Sequence, residues 1–136
     1  MQQTRATLLG ARSARITYAV AKPDVPPKAV AVIVHGLHEH MGRYTHVVEA
    51  LIGRGYVVYT LDHRGHGESQ GARANVERFE YFVQDLRQLV LQAQRDYPTL
   101  PCFMIGHSMG GLIATHYAAE YQSDLAGLVL SGAGLS

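Results

Sequence analysis

The residue best placed for covalent chemistry is Ser108, in the run Gly106-His107-Ser108-Met109-Gly110. A serine hydroxyl is a poor nucleophile unless its backbone presents it and a neighbouring base takes its proton. The surroundings meet the first condition. Cys102 to Ile105 reads as a short apolar strand, and a helix begins at about Met109. Ser108 therefore sits on a sharp strand-to-helix turn that lifts its hydroxyl above the sheet edge in a strained conformation. Glycines two before and two after it let strand and helix approach closely. The helix start also aims unpaired N–H groups, and the positive end of its dipole, at the oxygen of a carbonyl under attack. A purely structural Gly-rich turn is the competing reading. The strand before, the helix after and the further glycine at Gly111 favour the nucleophile.

Two more loops carry unusual residues: His35-Gly36-Leu37-His38-Glu39-His40, and the Gly-rich segment from Asp62 to Gly71. The chain has 8 histidines, and His38, Glu39 and His40 lie near His63 and His66 in this scheme. Neither an H-E-x-x-H helix nor paired cysteines accompany them, so hydrogen bonds to backbone account for them as well as a metal does. The glycines of residues 62–71 match neither G-x-G-x-x-G nor G-x-x-x-x-G-K-[ST], which makes them structural and not a phosphate cradle. Cys102, the single cysteine, belongs to an apolar strand and reads as a buried core thiol.

Around these residues the elements alternate. Residues 5–10 and 14–21 read as two strands of a hairpin, followed by the proline-rich connector Lys22 to Pro27. Ala29 to Val34 is continuously apolar, as a strand covered on both faces should be. A helix over 43–54 with Tyr44, Val47, Val48, Leu51 and Ile52 at helical spacing leads to a second buried strand, Tyr56 to Leu61. Residues 76–97 predict the longest helix, capped by Asn75 and stopped by Pro98. A last strand runs from Leu125 to Leu130. The alternation predicts β-α-β units and a mostly parallel sheet flanked by helices. Ligands of such sheets bind beyond the carboxyl ends of the strands, where all three unusual loops fall.

Composition sets bounds. The chain is 136 residues long, 47% hydrophobic and 17% charged, as for an ordinary globular domain. With 12 basic and 11 acidic residues, scattered and giving a net charge of +1, it offers no electrostatic case for a nucleic-acid or anionic-membrane partner. The longest purely apolar run, Ala29 to Val34, is too short to span a bilayer. The N-terminus opens polar, with no apolar signal region, so the expected compartment is cytoplasmic.

Three segments together resemble one family. His35-Gly36-Leu37-His38-Glu39-His40-Met41-Gly42-Arg43-Tyr44, Asp62-His63-Arg64-Gly65-His66-Gly67-Glu68-Ser69-Gln70-Gly71 and Gly106-His107-Ser108-Met109-Gly110-Gly111 occur in the order, and after the strands, of the α/β-hydrolase superfamily. The Glu-His and Arg-Tyr of the first segment are similar to the monoacylglycerol lipase and lysophospholipase-like branch. The resemblance implies that Ser108 is the acyl-accepting nucleophile and that the backbone N–H groups of Leu37 and Met109 form the oxyanion hole. It implies that the Asp62 to Gly71 loop packs against the nucleophile corner. It further implies a small lipid-like monoacyl ester as substrate, and neither cofactor nor metal. A peptidase or acyltransferase on the same corner is the alternative chemistry.

The departure is equally informative. In this superfamily the triad runs nucleophile, acid, histidine along the chain. Only Asp124, His116 and Glu120 follow Ser108. His116 is two helical turns from the corner, and Asp124 stands at the far end of the sheet. His107 should project away from the serine hydroxyl, and the resemblance gives His38 and His40 no catalytic role. Residues 1–136 therefore read as the N-terminal part of a single α/β-hydrolase domain with the first six strands, no cap and no triad acid or base. A catalytically silent fragment or pseudo-hydrolase is the second function to weigh. The strand Leu125 to Leu130 should form an exposed apolar edge, through which the chain self-associates.

Overall fold

The computed structural model describes residues 2–36, 39–71 and 78–132. A hairpin comes first, β1 (Gln2–Leu9) paired antiparallel with β2 (Arg15–Lys22), in register from Gln2 opposite Lys22 to Leu9 opposite Arg15. β1 begins earlier than its sequence suggests because it lies at an edge, exposed along almost its whole length. Backbone pairing to β2 is its main support, with Leu8 on the core and Arg5 paired with Glu68, and no apolar alternation is required. β3 (Ala29–Val34) is buried at every position, as a run with no polar face demands. A short 3-10 turn, Met41–Tyr44, replaces the first turn of the expected helix and leads into α1 (Thr45–Gly53). β4 (Tyr56–Leu61) follows with the predicted bounds.

The long helix, α2, spans Phe79–Asp96, with Arg78 at its N-cap position and no side-chain cap bond there. The expected cap, Asn75, lies outside the described residues. β5 (Cys102–His107), α3 (Met109–Glu120) and β6 (Gly127–Ser131) complete the order. β6 starts later than predicted because a 3-10 turn, Gln122–Asp124, occupies the approach, and Gly127 is the first residue to pair, opposite Phe103.

Among the described residues the sheet has six strands in the order β1-β2-β4-β3-β5-β6. β3, β4, β5 and β6 are mutually parallel, so their carboxyl ends share one rim; β2 joins β4 antiparallel. α1 sets Val48 against Ala21, Ala31, Ile33 and Val58 on one face. α2 and α3 bury Phe82, Leu86, Leu89, Ile113 and Tyr117 against Val30, Val32, Tyr59 and Met104 on the other. Each such fully buried aliphatic side chain is worth about 1.5–3 kcal/mol. This larger cluster fixes α3, and with it the corner at Ser108, on the sheet.

Candidate active site

The last residue of β5 and the first of α3 are separated by Ser108 alone. Its backbone takes φ 55° and ψ −122°, outside the regions that L-residues ordinarily occupy. The surrounding contacts hold it there. A Cβ on Gly106 would lie 2.6 Å from the Gly110 carbonyl and 2.7 Å from Gly111 Cα. One on Gly110 would overlap the Val34 and His35 carbonyls. These two glycines let α3 dock directly on the ends of β5 and β3. The Ser108 N–H donates to the Ser131 carbonyl at 3.0 Å, tying the corner to β6 as well.

Met109 opens α3, so its N–H is among those that helix geometry leaves without an intrahelical acceptor. Leu37, the other expected donor, and His38 lie outside the described residues. Their neighbour Gly36 is described, and it is close to the serine: a Cβ there would sit 3.2 Å from Ser108 Cβ and 3.3 Å from the His107 carbonyl.

Glu39 had no assigned role in the sequence, yet its Oε1 accepts the Gly36 N–H at 2.8 Å and the Tyr44 hydroxyl at 2.7 Å. Burial pushes its carboxyl up. The Tyr44 hydroxyl, the Gly36 N–H, Arg43 and His107 outweigh burial and hold it below the usual carboxylate range. An acceptor three residues after the N–H it captures has the spacing of a capping contact, and that spacing was the available signal.

The Asp62–Gly71 loop wraps its own first side chain. Asp62 accepts the N–H groups of Met41 at 2.9 Å and Glu68 at 3.0 Å, and Gly67, at φ +49°, leaves no room for a Cβ beside the carboxylate. The loop docks on β2 through Thr17 N–H to Ser69 Oγ at 2.8 Å and Gln70 N–H to Arg15 O at 2.8 Å. These bonds run to β2 and to the His35 loop, so it supports the corner through His35. His35, His63 and His66 form a buried group under the rim, with His35 and His63 ring centres 4.1 Å apart. Burial pushes His35 down to about 4, against the pull of its bond to the Gly36 carbonyl. Burial likewise takes His63 well below the ordinary histidine value.

Several other titratable residues are committed elsewhere. His40 accepts the Gly42 N–H at 3.1 Å, and His66 bonds the Arg64 carbonyl at 3.0 Å. His116 packs on Phe79 with ring centres 5.0 Å apart. The His107 ring lies beside Gly132, where a Cβ would be 3.3 Å from its Cε1. Asp124, just before β6, pairs with Arg87 and accepts the Tyr117 hydroxyl at 2.7 Å. Among the described residues no group of three or more histidine, cysteine, aspartate or glutamate side chains is placed to hold a metal ion. Among them, too, no helix is long and apolar enough to cross a membrane. The geometry thus offers a strained, presented hydroxyl next to a helix N-terminus, and the arrangement suits attack on a carbonyl.

Comparison with known proteins bears on this site. A family model described as serine aminopeptidase, S33 matches residues 25–136. The monoacylglycerol lipase of Mycolicibacterium smegmatis is 47% identical over 123 residues, covering 90% of this chain and 44% of that protein. Human monoglyceride lipase is 48% identical over 109 residues, or 80% of this chain and 36% of that protein. The chain thus spans less than half the length of these relatives. Among solved structures, a thermostable carboxyl esterase from Bacillus coagulans superposes with a TM-score of 0.87 at 31% identity, over 96% of this chain and 44% of its own.

Proposed function

The chain belongs to the serine aminopeptidase, S33, family, with an α/β-hydrolase fold, and from that premise we propose that Ser108 is the nucleophile of a serine hydrolase of carboxylic esters. The observation that carries this reading is the backbone of Ser108, a non-glycine residue held at φ 55° on a strand-to-helix corner. Such a conformation costs about 1–3 kcal/mol and persists where the surroundings over-determine it, as they do at functional sites.

In the proposed reaction Ser108 Oγ adds to the ester carbonyl, and its proton passes to a base. Negative charge collects on the carbonyl oxygen, where the N–H groups of Met109 and Leu37 receive it; each such donor is worth about 3–4 kcal/mol. The alcohol leaves with a proton, and water then releases the acid and restores the serine. The reaction needs no cofactor. The required base is the weak point of these 136 residues. Among the described residues no histidine or carboxylate hydrogen-bonds Ser108 Oγ, and His116 and Asp124 are engaged in the contacts above. We therefore read residues 1–136, taken alone, as silent.

For substrate, we favour a lipid-like monoacyl ester, because two relatives at 47% and 48% identity bear the names monoacylglycerol lipase and monoglyceride lipase. The second reading is peptide hydrolysis, because the family description names an aminopeptidase. The test is turnover of a monoacylglycerol and of a short peptide by a longer product of the same gene. Ester cleavage that falls about a millionfold in turnover in Ser108→Ala supports the proposal. Peptide cleavage without ester cleavage transfers it to the second reading, and ester cleavage that survives Ser108→Ala removes Ser108 from the chemistry.

A further inference from the structure

Acyl transfer at Ser108 makes no use of the buried histidines beneath the rim, yet His35 is bonded in a way that admits one protonation state. Its Nε2 lies 2.9 Å from the backbone N–H of His63, which can only donate, so Nε2 carries no proton. Its Nδ1 lies 2.7 Å from the Gly36 carbonyl, which can only accept, so Nδ1 carries one. Neutral imidazole with Nδ1–H satisfies both partners; the other tautomer and the cation each break a bond. His63 returns the contact, its Nε2 lying 3.0 Å from the His35 carbonyl.

The group that His35 holds stands against the serine. Gly36 is gripped at both of its polar atoms. Its carbonyl accepts from His35 Nδ1 and from the Glu39 N–H at 3.2 Å, while its own N–H donates to Glu39 Oε1 at 2.8 Å. A Cβ on Gly36 would meet Ser108 Cβ at 3.2 Å, so this backbone forms a wall against the reactive side chain. A drift of 1 Å at such a wall is enough to change a rate severely.

We propose that His35 is a positioning residue: as the Nδ1–H imidazole, oriented by the His63 backbone, it clamps the Gly36 carbonyl and so fixes the backbone that faces Ser108. The proposal rests on Ser108 being the nucleophile. An ordinary buried histidine would instead owe its place to ring packing against His63, His66 and their neighbour Phe82.

Clamp and packing are separated by the order of two substitutions. His35→Phe keeps an aromatic ring of similar bulk and deletes both hydrogen bonds. His35→Asn leaves a void but retains a short donor that can reach the Gly36 carbonyl. The experiment is ring-nitrogen NMR on the 136-residue chain labelled at histidine, with amide hydrogen exchange at Gly36 in the two variants. The clamp predicts the Nδ1–H tautomer at neutral pH, Gly36 exchange about tenfold faster in His35→Phe, and exchange within about threefold of the parent in His35→Asn. An Nε2–H or charged ring overturns it. So does the reverse order, with His35→Phe protecting Gly36 better than His35→Asn. If His35→Phe fails to fold, the tautomer and the His35→Asn exchange still decide. None of these readouts needs Ser108 to react. Failure of the hydrolase reading therefore appears separately, as ester cleavage that persists in Ser108→Ala.

Discussion

At the carboxyl ends of β3 and β4 the backbone is held by side chains, some adjacent in the chain and some distant. Glu39 and His35 grip Gly36, Asp62 gathers the N–H groups of Met41 and Glu68, and Ser69 and Gln70 anchor the loop on β2. β6, at the other side of the same sheet, pairs among the described residues with β5 alone, and Val129 is 56% exposed. One region is over-determined and the other is open. Strain at Ser108 can be kept only where the surroundings cannot relax, so the bracing has been concentrated where the candidate chemistry sits. A free strand edge carrying apolar side chains is what a second surface would cover.

The contrast can be broken most severely at its deepest brace. Asp85, fully buried, accepts Arg64 Nε at 2.7 Å, Arg64 Nη2 at 2.9 Å and the Ala11 N–H at 2.8 Å, joining α2 to the rim loop and the hairpin turn. Asp85→Ala leaves the Ala11 N–H without a partner and the buried Arg64 guanidinium without its counter-charge, although still bonded to the Ala11 carbonyl, so urea melts should show a loss of about 3–5 kcal/mol. Gly110→Ala drives a methyl into the Val34 and His35 carbonyls, which are backbone and cannot step aside. It should cost about 3 kcal/mol by the same assay, at the upper end for overpacking.

Acid attacks the same region through His35. Its folded value, near 4, lies below the unfolded value near 6.5, so the unfolded chain binds more protons across that interval. The stability is present above pH 6.5 and disappears as pH falls through 4, by about 3 kcal/mol for this group. The groups facing His35 are His63 and His66, with Asp62 and Glu39 opposing the shift. Asp85 works the other way, because burial raises its carboxyl despite Arg64. Urea midpoints measured from pH 7 to pH 4 should fall steeply, and a His35→Asn chain should show a shallower slope.

Two smaller effects sharpen the contrast. Ser108→Gly relieves a positive φ and should stabilise the chain by about 1 kcal/mol, the mark of a residue kept for something other than folding. Val129→Lys, at the open edge, should change stability by less than about 0.5 kcal/mol yet reduce self-association in sedimentation velocity.

The elements that were plain in the sequence are those with one dominant pattern. Ala29 to Val34, a continuous apolar run, and Tyr56 to Leu61, read as a second buried strand, became strands with those bounds, and the corner at Ser108 was marked by its glycines. β1 was harder because an exposed edge strand needs no apolar face. The bracing was hidden for a different reason. His35 and His63 stand 28 residues apart, and a side chain bonding a distant backbone group leaves no period in the sequence. Arg64 and Asp85 are likewise invisible until α2 folds over the loop.

The most direct measurement is intact mass after treatment with an alkyl fluorophosphonate, comparing the 136-residue chain with a longer product of the same gene. The expected result is one phosphonyl adduct, mapped to Ser108, on the longer product and none on the short chain. An adduct on the short chain would show that a base is already present within these residues. A longer product labelled elsewhere, or not at all, would contradict Ser108 as the nucleophile.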